Sequence, residues 1–405
     1  MTLRLRQLQV IHRHGDRTPL VNIFMGSTNT SLENKEVLLW SRHLPSPMQL
    51  AQLGSRFRVQ IAADAPNSFQ QRPFGYLTTR GIEQMSSRGK QLRELCEEGK
   101  LQLDTITTKE LQIFSNAYTR TQLSVQALLG DMLWEQSHLN PSVQVLHSKQ
   151  DILNSKFCVL TRLAYALFPE IERIKANLER DNAEFAAKEH EMAPIKEDLM
   201  RLFPAVATRR VPFTWITAAD YFVCRRAYEA PYIPGTELHG DATEKHLGFR
   251  FHQVWPYDEA EQCRVLRLQF YSNRTILKLV VGGLMHSYYY VNAAFLTVFR
   301  CTIQQMQKAI WDHRESKKIV LYSGHDISLL SVLRSMGAEV ANDIRFWPGY
   351  SSAFTLELLE DENGKIFVRA RLNNEILAMS EAPNGLCTPD RFQDVILGHI
   401  GSNID

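Results

Sequence analysis

The sequence predicts an α/β fold in which helices flank an open sheet, with a mostly helical segment inserted into the chain. Two apolar runs of strand length, residues 3–11 and 111–115, are each followed by a loop and then by a helical pattern. This order is typical of a parallel sheet. A long stretch of charged residues at helical spacing in the middle of the chain predicts the insertion.

Length, composition and charge restrict the classes of protein to consider. The chain has 405 residues, of which 44% are apolar and 22% charged, so it can bury a large core. Its 46 Lys and Arg residues nearly balance 44 Asp and Glu residues, which gives no reason to expect a nucleic-acid partner. No run of about 18 apolar residues occurs, so we expect no membrane span.

The first residues and the cysteines bear on the compartment. The N-terminal stretch carries charges among its apolar residues and lacks the long apolar core of a signal peptide. The six cysteines lie far apart without zinc-site spacing, which favours buried thiols. These observations favour the cytoplasm slightly over a secretory or lysosomal location with a trimmed leader. We expect no metal and no cofactor.

The first third of the chain after its opening strand alternates between loop and helix signals. Residues 20–75 are rich in Pro, Ser, Asn and Gly, which predicts mostly loop. Residues 77–98 show helical spacing, and either Thr78 or Thr79 could cap that helix. Residues 121–134 form a second helical pattern, directly after the apolar run of the second strand.

The insertion is predicted from the middle of the chain. Residues 168–206 form a long helical pattern that we expect to be broken near Pro194. We therefore predict a helical cap at 138–262, inserted into an α/β core made of residues 1–137 and 263–405.

The sheet resumes near the end of the chain. Residues 301–313 predict a helix, and the run KKIVLYSGHD that begins at Lys317 predicts a strand followed by a turn. Residues 354–372 predict a β-hairpin with Asn363 and Gly364 at its turn.

The segment RHGDRTP, which follows the first strand, contains the strongest functional signal. Guanidinium groups present planar pairs of donors that match phosphate oxygens, so Arg13 and Arg17 could hold one anion between them. Gly15 allows the backbone a close approach, and Pro19 stiffens the end of the turn. The segment is placed at the carboxyl end of a strand, where open α/β sheets bind their ligands.

His14 stands beside both of these arginines. Positive charges disfavour the imidazolium form, so its pKa should fall, and a neutral imidazole can attack phosphorus. A lone histidine at a strand end is usually structural, but the five specified residues of R-H-G-x-R-x-P are expected by chance on the order of once in 10⁴ chains of this length. The complete segment therefore indicates phosphoryl transfer.

Two other strand ends supply the remaining groups that this chemistry needs. His325 and Asp326 follow a glycine after the strand near 320, where the imidazole could donate to a phosphate oxygen and the carboxyl could protonate a leaving group. Arg120 follows the strand 111–115 and begins a helix, a position that favours anions.

These motifs resemble those of the histidine acid phosphatases, the second branch of the histidine phosphatase superfamily. The similar segments are RHGDRTP at 13–19, YLTTRGIEQ at 76–84, SNAYTRT at 115–121, GHD at 324–326, WPGYSSAFTLEL at 347–358 and TWITAADYFVCRRA at 214–227. The resemblance covers nearly the whole chain, but only the first and fourth of these motifs are specific.

The resemblance implies a fold, a mechanism and a role for each site residue. The implied fold is a phosphoglycerate-mutase-like open sheet with a larger helical cap. His14 would be the nucleophile that forms a phosphohistidine, Asp326 the proton donor, and no metal would take part. The phosphate-binding residues would be Arg13, Arg17, Arg120 and His325. The partner would be a small-molecule phosphate monoester.

The chain departs from the family pattern at a few positions. The family usually carries an arginine where Phe114 stands. Cys158 and Cys387 stand where one family disulfide would fall, whereas the usual partner of Cys224 is replaced by Ala353. The full disulfide set of secreted members is therefore absent.

Three alternatives stay open. In a metal-dependent phosphoesterase, His12 and Asp16 would join the site histidines as ligands, although the flanking arginines would repel a dication. A phosphomutase would use the same phosphohistidine, but such members usually pair it with a Glu donor rather than Asp326. A non-enzymatic anion-binding protein would have no need for the complete set of nucleophile, arginines and acid. The nature of the ester and the oligomeric state are not predicted.

Overall fold

A computed structural model describes most of the chain. The described residues are 2–61, 72–145, 182–254, 317–335, 345–378 and 385–392, together with residues 338, 340, 343 and 382. The expected helix at 301–313 lies outside them.

The described strands form one mixed sheet. They are Arg4–Arg13 (β1), Val59–Ile61 (β2), Leu111–Ser115 (β3), Val143–Val145 (β4), Ile319–Gly324 (β5), Ala353–Glu360 (β6), Ile366–Leu372 (β7), Glu375–Ile376 (β8) and Leu386–Cys387 (β9). Their order is β2-β4-β3-β5-β1-β6-β7-β8, with β9 also paired to β7. The half from β2 to β1 is parallel, whereas β6 and the strands beyond it are antiparallel. The predicted parallel sheet is thus confirmed, and an antiparallel half extends it.

The register brings three functional segments to one edge of the sheet. Strand β5 lies between β3 and β1, and it pairs Gly324 with Arg13 and Ser323 with Ser115. Because the three strands are parallel, the segments that follow them all begin at the same edge of the sheet. Open α/β sheets bind their ligands at this edge.

The described helices pack around this sheet and beyond it. They are Thr30–Ser41 (α1), Pro47–Arg56 (α2), Thr79–Glu98 (α3), Thr119–Met132 (α4), Ala183–Leu202 (α5), Pro204–Ala207 (α6), Trp215–Ala227 (α7), Gly240–Val254 (α8) and Asp326–Ser335 (α9). Helix α3 begins as predicted, with the Thr78 side chain accepting the N–H of Gly81. Helix α4 likewise agrees with its prediction within two residues.

The prediction that residues 20–75 are mostly loop is wrong for the residues that the structure describes there, 20–61 and 72–75, because α1, α2 and β2 occupy more than half of them. Residues 62–71 lie outside the described part. Two of the residues that suggested loop are helix caps. The Asn29 side chain accepts the N–H of Ser31, and Ser46 forms a reciprocal capping box with Gln49. Such residues favour both turns and N-caps, so their composition alone does not separate the two.

The predicted break near Pro194 is also wrong, since α5 continues through this residue. Proline removes one helical hydrogen bond, but its would-be acceptor belongs to His190, which is exposed and can bind water instead. Phe185, Met192 and Leu199 are buried on both sides of the proline, so tertiary packing holds the two halves in line.

The predicted hairpin at 354–372 is confirmed. Strands β6 and β7 pair antiparallel over their whole length, and Gly364 takes a left-handed φ of 78° in the connecting turn. Glycine adopts this conformation without steric cost.

Apolar side chains fill both faces of the sheet. Along β1, Val10 packs with Met85 of α3 and Leu128 of α4, whereas Ile11 packs on the opposite face with Leu329 of α9. This alternation follows from the two-residue period of a strand. Phe114, at the position where the family usually carries an arginine, stacks on Tyr322 with ring centroids 5.3 Å apart.

Residues 182–254 are helical, as the predicted insertion requires. Phe203, Trp215 and Phe222 belong to an apolar cluster built mainly from these residues, with Ile23 as a member from the N-terminal part of the chain. Strand β4 lies within the range 138–262 but pairs with the sheet. The two-domain division and its boundaries stay a prediction.

The described cysteines are buried. Cys96 and Cys224 are free thiols, as expected. Cys387 is buried too, but Cys158, its partner by resemblance, lies outside the described residues, so that pairing stays open.

Candidate active site

The side chains predicted from three strand ends meet at the carboxyl edge of the sheet. The imidazole rings of His14 and His325 lie edge to face with centroids 5.3 Å apart. A guanidinium nitrogen of Arg13 lies 2.9 Å from a carboxylate oxygen of Asp326. The charges of Arg17 and Arg120 both act on His14. The structure therefore brings together all six predicted site residues.

Main-chain contacts hold His14 in one orientation. Its Nδ1 lies 2.7 Å from the carbonyl oxygen of Gly15. Because a carbonyl only accepts, Nδ1 carries the proton and Nε2 keeps its lone pair. The backbone N–H of His14 donates to Gly324, and its carbonyl accepts from Ser351. The ring therefore presents an unprotonated nitrogen, as a nucleophile must.

The pKa of His14 lies well below its usual range. Burial is the largest cause, and the positive charge of Arg120 comes next, followed by His325, Arg13 and Arg17. The direction agrees with the sequence prediction, but desolvation of the imidazolium is the largest single cause, ahead of any one arginine. His14 is thus held neutral by two independent effects.

Gly15 is required by a close approach of helix α3. A Cβ on Gly15 would lie 2.3 Å from the carbonyl oxygen of Gly81, and a Cβ on Gly81 would lie 2.2 Å from that of Asp16. The two glycines let the helix start touch the backbone of the loop that follows β1 and carries His14. The close backbone approach expected at Gly15 is therefore made by helix α3.

Each of the three arginines has a different environment. Arg13 donates to the carbonyl of Pro348 at 2.5 Å and is paired with Asp326. Arg17 forms a buried ion pair of 2.6 Å with Asp220 of α7, and its pKa is raised. Burial is the largest single influence and opposes that rise, but the charge and hydrogen bond of Asp220, together with smaller contributions from Tyr350 and Cys224, outweigh it.

Arg120 differs because no carboxylate within the described residues lies at ion-pair distance. Its guanidinium stacks over the ring of Tyr118 at 4.2 Å, and its Nε is buried without a hydrogen bond. Burial, together with the charge of Arg17, lowers its pKa to about 9. A bound anion would offset both the burial of this unpaired charge and its repulsion from Arg17. Of the three arginines, Arg120 therefore has the most to gain from a bound phosphate.

Asp326 is ionised in the free protein. Burial favours its neutral form, but the charge of Arg13, the neighbouring His325 and two hydrogen bonds together lower its pKa. One carboxylate oxygen also accepts the indole N–H of Trp347 at 3.1 Å, and the other accepts the backbone N–H of Ile327 at 2.9 Å.

His325 is held by two neighbours of the second strand end. Its Nε2 lies 2.5 Å from the amide nitrogen of Asn116, and the Tyr118 ring packs edge to face on it with centroids 5.3 Å apart. Burial and then the charge of Arg120 lower its pKa to about 3, so the ring is neutral.

Sequence reasoning missed four residues that support these groups. They are Asn116, Asp220, Trp347 and Tyr350, and all four lie within segments that carry the family resemblance. Tyr350 packs under the guanidinium of Arg13 at 4.2 Å. No spacing rule could have paired Asp220 with Arg17, because about two hundred residues separate them.

His12 and Asp16, the extra ligands of the metal-dependent alternative, have other partners. His12 is buried with Nδ1 against the carbonyl of Arg13, and burial is the main cause that lowers its pKa to about 4. Asp16 accepts hydrogen bonds from the hydroxyls of Thr78 and Tyr228. Within the described residues, no group of three or more His, Cys, Asp or Glu side chains is arranged to hold a metal ion.

Comparison with known proteins agrees with this geometry. Residues 4–226, more than half of the chain, match the family described as the histidine phosphatase superfamily, branch 2. A lysophosphatidic acid phosphatase type 6 from Bos taurus is 21% identical over 416 residues, which covers 97% of this chain and 83% of that protein.

Two solved structures show the same fold at low identity. A phytase from Hafnia alvei has a TM-score of 0.54 at 12% identity and covers 98% of each chain. A multiple inositol polyphosphate phosphatase from Bifidobacterium longum has a TM-score of 0.56 at 10% identity and covers 99% of this chain and 93% of its own. The described part of the protein has no helix long and apolar enough to span a bilayer. The chain belongs to branch 2 of the histidine phosphatase superfamily, and it is a phosphatase that acts on phosphate monoesters through a histidine.

Proposed function

We propose that the protein hydrolyses small-molecule phosphate monoesters in two steps, with His14 as the nucleophile and Asp326 as the proton donor. The observation that carries the proposal is the state of His14. Its Nε2 is unprotonated, and the ring is surrounded by the charges of three arginines that can hold a phosphoryl group.

In the first step, the Nε2 lone pair of His14 attacks phosphorus as the bond to the ester oxygen breaks. Asp326 gives its proton to that oxygen, so the product leaves as an alcohol. The equatorial oxygens are stabilised by Arg13, Arg17, Arg120 and His325. In the second step, water attacks the phosphorus of the phosphohistidine, and the carboxylate of Asp326 accepts a proton from that water. The bond between phosphorus and Nε2 breaks, which releases inorganic phosphate and regenerates neutral His14.

The pairing of Arg13 with Asp326 links substrate binding to proton supply. In the free protein this ion pair favours the ionised form of Asp326, which cannot donate. A phosphoryl group that binds Arg13 competes with the carboxylate for the same donors, and its negative charge disfavours an ionised neighbour. Substrate binding should therefore favour the protonated, reactive form of Asp326.

The test compares wild type, His14→Ala and Asp326→Asn at pH 5 with excess EDTA, on p-nitrophenyl phosphate and on an alkyl phosphate such as glycerol phosphate. His14→Ala should abolish turnover of both. Asp326→Asn should reduce alkyl phosphate hydrolysis about 10²–10⁴-fold, the usual contribution of a general acid. Its effect on the nitrophenyl ester should be smaller, because a nitrophenolate leaves readily without a proton.

Other outcomes would favour the alternatives. Wild-type activity lost to EDTA would indicate that the histidines are metal ligands. Phosphate transferred to a second hydroxyl compound rather than to water would indicate a mutase. Phosphate binding without turnover at any pH would indicate an anion-binding protein.

A further inference from the structure

We propose that Asn116 is a positioning residue that sets the ring tautomer of His325, so that the Nδ1–H of this histidine donates to the bound phosphoryl group. The inference rests on the proposed function, because it assigns the donor atom within the phosphate site. Asn116 touches neither the nucleophile nor the proton donor in the structure, and it acts through His325.

The orientation of the Asn116 amide follows from its fixed neighbours. Its Oδ1 lies 3.2 Å from the backbone N–H of Tyr118 and 2.5 Å from the hydroxyl of Thr121. A backbone N–H can only donate, so the atom that faces Tyr118 must be the oxygen. The amide nitrogen is therefore the atom that faces His325.

The amide nitrogen determines which nitrogen of His325 holds the proton. Its N–H donates to Nε2 of the ring at 2.5 Å, so Nε2 must supply a lone pair. In a neutral imidazole, the proton is then on Nδ1. Within the described residues, Nδ1 has no hydrogen-bond partner, which leaves its N–H available to a ligand.

Because it is buried, the hydrogen bond between Asn116 and His325 tolerates only one arrangement of donor and acceptor. Asn116 is 0% exposed, so water does not compete for its amide. The Tyr118 ring packs edge to face on His325 and opposes rotation of the imidazole away from the amide. A flipped ring would put a carbon or a second N–H against the Asn116 donor, which a buried site does not tolerate.

The same contact disfavours the imidazolium form of His325. Protonation would place an N–H on Nε2, where it would face the N–H of Asn116. A neutral His325 adds no further positive charge beside His14, whose ring centroid is 5.3 Å away. The phosphoryl group thus receives a neutral donor from this side and positive charge from the arginines.

The decisive variant is Asn116→Asp, which replaces only the amide nitrogen by oxygen. The contacts of Oδ1 with Tyr118 and Thr121 can remain, but the atom facing Nε2 becomes an acceptor. The proton should move to Nε2, and an imidazolium should form at pH 5–6. Asn140→Asp is the matched control, because Asn140 is an exposed asparagine outside the site.

The measurement is ¹⁵N NMR of histidine-labelled protein, with the His325 signals assigned by their loss in His325→Gln. In wild type we expect a protonated Nδ1 and an unprotonated Nε2 from pH 5 to 7. Asn116→Asp should show a protonated Nε2, a drop of kcat of at least about tenfold, and a changed pH profile. Asn140→Asp should match wild type in all three respects.

Two results would overturn the proposal. One is a wild-type His325 with its proton on Nε2. The other is an Asn116→Asp protein with unchanged tautomer and kinetics. The spectrum of the free wild-type protein needs no turnover and does not need a folded Asn116→Asp protein, so it tests the tautomer even if the phosphatase assignment fails. Conversely, active wild type with the wrong tautomer would leave the proposed function intact and refute the role of Asn116.

Discussion

At the scale of single residues, the site sets two pKa values in the same direction by different means. Burial and positive charge lower the pKa of His14, so its neutral form persists into acid. For Asp326, burial raises the pKa, but the charge of Arg13 together with neighbouring hydrogen bonds lowers it overall. Catalysis needs a neutral histidine and a protonated carboxyl, so both shifts move the active range of pH downward.

This predicts an acidic pH profile for kcat/KM. Activity should fall with decreasing pH when His14 becomes protonated, below its ordinary pKa of 6.5. It should fall with increasing pH as free Asp326 ionises, also at a lowered pKa. The maximum should therefore lie below pH 6.5, after correction for the ionisation of the substrate.

The kcat profile should extend to higher pH than the kcat/KM profile, because bound phosphate favours protonated Asp326. Asp326→Asn should flatten the alkaline side of the kcat/KM profile. A rate that rises steadily to pH 9 is incompatible with Asp326 as the acid.

At the scale of elements, the start of α3 supports the loop that carries His14 from one side. Thr78 accepts the N–H of Gly81 and donates to the carboxylate of Asp16, so one hydroxyl caps the helix and ties it to the loop. The backbone of Asp16 packs directly on Gly81. The position of His14 thus depends on a helix start that performs no chemistry.

We expect Gly81→Ala to damage both stability and activity. The new methyl group would lie 2.2 Å from a backbone oxygen of the loop, which cannot rotate away as a side chain could. Such overpacking costs about 1–3 kcal/mol or more and should displace His14. Thermal unfolding and kcat/KM at pH 5 measure the two effects.

Gly130→Ala in α4 is the control, because a Cβ there meets nothing within 4 Å. It should stabilise the protein by about 0.5–1 kcal/mol through helix propensity and leave kcat/KM unchanged. Equal behaviour of the two variants would show that the contact between α3 and the loop is unimportant.

At the scale of the whole molecule, the loop that carries His14 and Arg17 contacts the helical residues 182–254. Asp220 of α7 pairs with Arg17 and accepts the backbone N–H of Leu20, and Tyr228 donates to Asp16. This loop is therefore held partly by a segment distant in sequence. Its geometry should depend on that segment remaining docked.

We expect Asp220→Asn to lower the free energy of unfolding by about 3 kcal/mol, because it leaves the charge of Arg17 buried without its partner. The side chains of this pair are only 10% and 6% exposed. Asp241→Asn removes one of the two carboxylates that pair with Arg226, the other being Glu244. The side chains of Arg226 and Asp241 are 50% and 83% exposed, so this change should cost less than about 1 kcal/mol.

Denaturant unfolding of both variants measures the difference, and kcat/KM should fall only for Asp220→Asn. Similar losses of stability in the two variants would mean that the buried pair does not secure the loop.

The sequence by itself determined the chemistry of this protein and where it lies along the chain. Strand periodicity located β1, β3 and β5, and parallel strands present their carboxyl ends at one edge, so His14, Arg120 and His325 had to come together. The sequence could not separate helix caps from loops in residues 20–75, because the same types of side chain favour both. The tertiary structure alone decided that Arg17 pairs with Asp220, that burial is the largest cause of the lowered pKa of His14, and that Asn116 faces His325. These outcomes depend on contacts between distant segments and on the exclusion of water, and neither is written in local sequence.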